Sequence, residues 1–188
     1  FDKLVELGRT YGDLEEGSKV LYTREDLDKA LSKISADDRA VLERTAARIE
    51  TFARGQRESL SSFEMTIPGG KAGHQLAPVT RAGCYAPGGR FPLPSTVLMT
   101  AVTARVAGVK QVVVASPKPT SITLAAAAVA GADQLIAIGG AQAIGALTFG
   151  AGEISPVDVI VGPGNRWVTA AKKYVSGFVG IDMLAGPS

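Results

Sequence analysis

The stretch "QVVVASPKPTSITLAAAAVAGADQLIAIGG", residues 111–140, decides the fold. A Val-rich run (111–116) gives way to a helix-like segment (121–130), and a second run rich in Ile and Leu follows (134–139). Apolar runs of strand length alternating with helix-length segments indicate βαβ units in a parallel sheet covered on both faces. The same rhythm extends in both directions. Further strand-like runs are "AGCY" (82–85), "VDVIVG" (157–162) and "VGIDM" (179–183), and further helix-like runs lie at about 95–107, 141–149 and 165–176. After the first crossover the strands recur every 22 or 23 residues. Right-handed crossovers make this an α/β fold, a Rossmann-like parallel sheet with helices on both faces. The helix sequences do not resemble one another, which excludes a repeat solenoid.

The preceding residues read differently. Residues 1–81 hold 27 of the 38 Lys, Arg, Asp and Glu residues, so the organisation changes near Gly83. Thr23 with Asp26, and Ser35 with Asp38, stand in capping positions before helical segments. In the second helix Val41, Leu42, Thr45, Ile49, Phe52 and Ala53 are expected on one apolar face. "FEMTIPGGKAGHQLAPV" predicts a β-hairpin turning at Pro68-Gly69-Gly70, with the lone histidine, His74, on its second arm as a surface or packing residue. The expected division is therefore 1–81, N-terminal helices and hairpin, and 82–188, a Rossmann-like α/β unit. Phe1 falls in what reads as a helix, and "GIDMLAGPS" closes just after a strand, so a piece of a longer protein is expected.

Composition narrows the function. A net charge of +2 gives no reason to expect nucleic acid or an anionic membrane as partner. No apolar run approaches the roughly 20 residues of a membrane span. One cysteine, Cys84, excludes an internal disulfide framework and suits a cytoplasmic chain. With one His and one Cys, a His/Cys zinc cage cannot be assembled, and no HExxH motif, phosphate-binding P-loop or Ser-His-Asp set is present.

Ligands of wound sheets bind beyond the carboxyl ends of the strands. Three glycine turns fall there: Pro87-Gly88-Gly89, Gly139-Gly140 and Gly162-Pro163-Gly164. Each leads towards a helix N-terminus, where free N–H groups and the helix dipole favour an anion. Tyr85, Gln142 and Asn165 stand beside these turns and offer a flat ring, donors and acceptors. The G-x-G-x-x-G fingerprint is not met, because Trp167 occupies the third glycine position of "GPGNRW". Asp182, 20 residues after Gly162, stands where a ribose-binding acid would. The residues by themselves indicate a nucleotide-sized ligand and go no further.

The blocks "GGAQAIGALTFG", "VDVIVGPGNRWVTAAKKYVS" and "IDMLAGPS", with the Y-x-PGG turn at Tyr85, closely resemble histidinol dehydrogenases from about residue 23 onward. The resemblance implies an NAD-dependent, zinc-containing enzyme that oxidises L-histidinol through the aldehyde to L-histidine in histidine biosynthesis. It implies a homodimer built from two incomplete Rossmann-like domains. It also assigns NAD contacts to Tyr85, Gln142 and Asn165 and a substrate contact to Ser188. The zinc ligands and the Glu-His acid–base pair would lie outside this chain, which by itself is expected to be inactive. Arg90-Phe91 stand where that family has small residues, leaving open a related alcohol dehydrogenase with a more anionic substrate. A nucleotide-binding module without redox chemistry, or a helical docking protein, is a further alternative.

Overall fold

The computed structural model describes residues 1–88 and 91–184. Gly89, Arg90 and Ser188, and with them part of the first glycine turn and the proposed substrate contact, lie outside the described residues. The chain runs α1 (Asp2–Thr10), β1 (Leu21–Thr23), α2 (Arg24–Leu31), α3 (Ala36–Glu58), β2 (Phe63–Ile67), β3 (Gly70–His74), β4 (Arg81–Tyr85), α4 (Pro94–Val106), β5 (Gln111–Ala115), α5 (Ser121–Val129), β6 (Gln134–Ile136), α6 (Gly140–Phe149), β7 (Val159–Val161), α7 (Arg166–Val175) and β8 (Gly180–Ile181).

Six strands form one sheet in the order β1-β6-β5-β4-β7-β8. All pairings are parallel except β1 on β6. The parallel part, 6-5-4-7-8, is the wound order expected, with its reversal at β4 between β5 and β7. Side chains sort by the two-residue strand period. Ala82, Cys84, Val112, Val114 and Leu135 face α4 and α5. Tyr85, Val113, Ala115 and Ile136 face α6, α7 and the N-terminal α1.

The alanine run has a packing reason. Helix α5 lies on the sheet and is overlaid by α2, α3 and α4, so Ala125 through Ala128 are all buried. A helix covered on both sides has room only for small side chains, because interiors are packed to crystal-like density. Helices α2 and α3 add a third layer on that face, contributing Leu27 and Leu42 to its core. Both caps form: the Thr23 hydroxyl and Asp26 carboxylate complete a capping box, and the Ser35 hydroxyl accepts the Asp38 N–H at 3.0 Å.

Three expectations need correction. The buried stripe of α3 is Leu42, Ala46, Ile49 and Ala53, while Val41 and Phe52 are 50% and 70% exposed. Only a narrow stripe touches α4 and α5, so the outer part of the expected face meets solvent. Strand β1 was not foreseen. It is three residues long and ends at the N-cap of α2, so helix and strand signals overlap at Thr23. The run 134–139 stops being a strand after Ile136. Beyond it Ala137 N–H bonds Val20 C=O and Gly139 N–H bonds the Asp13 carboxylate, so the chain turns from β5 to the N-terminal segment.

The expected hairpin forms as β2–β3, with Phe63 opposite His74 and Ile67 opposite Gly70. Every residue of it is exposed.

Candidate functional site

The carboxyl ends of β4, β5 and β7 and the turn after β6 meet along one edge of the sheet. At the switch point the turn after β7 passes directly over the end of β4. A Cβ at Gly162, whose φ is +118°, would sit 2.1 Å from the Tyr85 carbonyl oxygen, so no other residue fits there.

Tyr85 is 3% exposed, and its hydroxyl accepts the Gly140 N–H at 3.0 Å. Burial raises the phenol's pKa against the lowering effect of that N–H, and the Asp13 carboxylate raises it further. The hydroxyl therefore stays neutral and keeps its own proton to donate. With its ring buried, Tyr85 fixes the N-terminus of α6 and cannot serve as a stacking platform.

Gln142, in the first turn of α6, donates from Nε2 to Asp13 Oδ2 at 3.3 Å, and the same oxygen accepts the Gly139 N–H at 2.9 Å. Its amide oxygen makes no hydrogen bond to any described residue. Asn165 is the N-cap of α7: Oδ1 accepts the N–H groups of Trp167 at 3.0 Å and Val168 at 3.1 Å. Capping consumes the amide oxygen and leaves the amide NH2 as a donor.

Tyr85, Gln142 and Asn165 thus line one cavity of about 420 Å³, together with Tyr11, Asp13, Gly88, Pro117 and Trp167. That volume lies within the range of small-molecule sites. Trp167, 61% exposed, supplies the flat face that Tyr85 does not, and the Arg166 guanidinium lies 4.9 Å from its ring centroid.

Sequence reasoning missed Tyr11 and Asp13. They follow a short amphipathic helix in a turn at Gly12, and no periodicity or motif links them to residues more than 120 positions later. Trp167 was legible only as a departure from the dinucleotide fingerprint.

Asp182 does not serve as a ribose acid in this arrangement. Its carboxylate pairs with Lys172, only 2% exposed, and accepts the Gly162 N–H at 2.8 Å, while Lys172 Nζ donates to the Gly162 carbonyl at 3.0 Å. Burial would raise the Asp182 pKa, but the Lys172 ammonium and the Gly162 and Met183 N–H groups outweigh it and hold it below the ordinary value. The pair clamps the glycine turn. His74 lies on the hairpin, where Nε2 contacts the Ser61 carbonyl at 3.0 Å, and does not line the cleft. The Cys84 thiol is fully buried, which pushes its pKa up to about 12 and leaves it inert.

A larger groove of about 530 Å³ runs beside α4, lined chiefly by apolar groups such as Val79, Met99, Val159 and Met183. It lacks the convergent donors and acceptors of a ligand site, so the smaller cavity is the better candidate. No three His, Cys, Asp or Glu side chains among the described residues are grouped to hold a metal ion. No helix among them is long and apolar enough to cross a membrane.

Fold and cleft together define a wound parallel α/β protein with a polar, aromatic-lined cleft, its candidate ligand site, at the carboxyl edge of its sheet. A family model described as histidinol dehydrogenase matches residues 2–188, and the chain belongs to that family. It is 43% identical over 191 residues to a histidinol dehydrogenase of Pseudomonas fluorescens and 51% identical over 168 residues to one of Methanococcus maripaludis. These matches cover 98% and 87% of this chain but 43% and 40% of the relatives, so the chain spans less than half their length. The crystal structure of histidinol dehydrogenase from Elizabethkingia anophelis superposes with a TM-score of 0.79 at 34% identity, over 91% of this chain and 41% of that one.

Proposed function

We propose that this chain is the N-terminal part of an NAD-dependent, zinc-containing histidinol dehydrogenase that oxidises L-histidinol, through the aldehyde, to L-histidine in histidine biosynthesis. The observation carrying the reading is the convergence of Tyr85, Gln142 and Asn165 on one cavity in a chain of that family. The donor set fits NAD. The Asn165 NH2, the Gln142 amide oxygen and the Tyr85 hydroxyl can bond amide and hydroxyl groups, while Trp167 offers a face for a planar ring. When bound, NAD supplies the hydride acceptor for the alcohol carbon. These residues bind and orient it, and the Gly162 turn, held by Lys172 and Asp182, sets the position of Asn165.

On this reading Ser188 contacts the amino-alcohol substrate. The zinc ligands and acid–base residues lie in the part of the family's polypeptide outside this chain, which alone is inactive. The full-length protein is a cytoplasmic homodimer. Residues 1–81 belong to its first domain, and residues 82–188 form an incomplete NAD-binding domain.

The test is calorimetric titration with NAD of the unaltered chain, Gln142→Ala and Asn165→Asp. Aspartate keeps the capping oxygen and removes the NH2 donor, so it separates ligand binding from helix stability. Millimolar-range binding that is lost in both variants is the expected result. Unchanged binding in both would place the cofactor elsewhere. Activity of the full-length parent towards L-histidinol, but not towards anionic alcohols, is the corresponding expectation for the substrate.

A further inference from the structure

Helix α6 starts on two glycines, so its own sequence supplies no side chain to fix its N-terminus. Two residues from elsewhere do so. The Tyr85 hydroxyl accepts the Gly140 N–H at 3.0 Å, and Asp13 Oδ2 accepts the Gly139 N–H at 2.9 Å. A carboxylate in that place is also favoured by the helix dipole. Asp13 does more than cap, because the same oxygen accepts a hydrogen bond from Gln142 Nε2 at 3.3 Å, 129 residues along the chain.

That contact fixes which way round the Gln142 amide lies. A primary amide has an acceptor at one end and two donors at the other, whereas a carboxylate accepts and does not donate. Asp13 therefore takes the NH2 end, and turning the amide over would set two oxygens against each other with no proton between them. The carbonyl oxygen makes no hydrogen bond to any described residue, so it is the group that Gln142 offers to the cavity it lines. Gly140 makes the arrangement possible. Its φ is +65°, and a Cβ there would lie 2.8 Å from Gln142 Oε1 and 3.1 Å from Nε2. The amide folds back over the glycine, and a side chain at that position would displace it from Asp13.

We infer that Asp13 is a positioning residue of the cleft: it holds the Gln142 amide with its NH2 engaged and its carbonyl oxygen free, so this point of the site demands a hydrogen-bond donor on the ligand. A ligand presenting an acceptor there would leave two oxygens facing each other, and an unmade hydrogen bond costs more than a made one contributes. For the identity of the ligand this rests on the NAD reading, since NAD offers donors in its carboxamide, its ribose hydroxyls and its adenine amino group. The orientation of the amide rests on Asp13 alone.

A charge-conserving exchange tests the pair. NAD is titrated calorimetrically into the unaltered chain, Asp13→Asn, Gln142→Glu and the two changes combined. Gln142→Glu alone sets two carboxylates together and should weaken NAD by about tenfold or more. In the combined variant the asparagine NH2 donates to the glutamate, whose other oxygen is again an acceptor for the cleft, so most of the affinity should return. Asp13→Asn on its own keeps an oxygen for the Gly139 N–H but lets the amide lie either way round, and it should not tighten NAD. The same change would then help in one background only, which is the mark of direct coupling. Equal tightening by Asp13→Asn in both backgrounds would mean that charge alone is at work and would overturn the inference. A combined variant no tighter than Gln142→Glu would overturn it too. Hydrogen exchange of the Gln142 side-chain NH2, read by NMR, checks the orientation without NAD. Exchange should be slow in the unaltered chain and fast in Asp13→Ala, while the backbone amides of α6 stay protected. Equally fast exchange in both would overturn the positioning role. Slow exchange in a chain that binds no NAD would uphold it and overturn the cofactor reading.

Discussion

Asn165 does two things with one side chain. Its amide oxygen caps α7, and its amide NH2 is left for the cleft. Asn165→Ala should cost about 1 kcal/mol of stability, the usual worth of an N-cap, whereas Asn165→Asp should fold as well as the parent in thermal unfolding. Equal destabilisation by both variants would mean that the cap is not what holds this turn. Gly162 is the stricter position. Alanine there meets backbone strain of about 1–3 kcal/mol and a clash with the Tyr85 carbonyl of similar size. Gly162→Ala should lower stability by about 3 kcal/mol, which for a chain of this size lowers Tm by roughly 6–12 °C. A shift of a degree or less would show that the β7 turn can move away from β4.

Elements differ in how firmly they are held. The Asp26 pKa is lowered to about 2, chiefly by the Lys19 ammonium and next by the Thr23 N–H of the capping box. Its folded value lies below the 3.8 of a free aspartate, so its contribution is complete above about pH 4 and drains away as the pH falls towards 2. Helix α2, which that carboxylate caps, should loosen from α5 in that window. Asp26→Asn should lose the stability at neutral pH and flatten the acid limb of a pH–stability profile. The hairpin β2–β3 stands at the other extreme: two strands, wholly exposed, with Phe63, Met65 and Ile67 packed against no core. Isolated two-stranded ribbons are marginal in water, so its amides should exchange with solvent far faster than those of β4 and β5. Equal protection would mean that something covers the hairpin in solution.

At the scale of the whole molecule, apolar surface is unevenly covered. Among the described residues no helix covers the α4 side of β7 and β8, leaving the 530 Å³ groove, and Val79, Met99 and Met183 are exposed around it. Strand β8 is a two-residue edge. Exposed apolar patches and unpaired edges favour association, so the 188-residue chain should self-associate as its concentration rises in sedimentation velocity. A single monomeric species across the accessible range would contradict this.

The sequence alone determined the wound sheet and the edge on which a ligand would lie. Strand and helix periods are local, and the glycine turns mark the carboxyl ends of strands wherever the helices pack. It also named Tyr85, Gln142 and Asn165, through the blocks shared with a known family. Tertiary structure decided what those residues can do. The buried Tyr85 ring, the Asp182 carboxylate committed to Lys172 and the narrow stripe of α3 all follow from contacts between distant segments. No local pattern encodes such contacts. Asp13 joins the cleft only because β1 pairs beside β6 and brings the N-terminal segment across the sheet edge. Local patterning sets which elements form, whereas the potential and shape of a cleft depend on which of their ends are brought together.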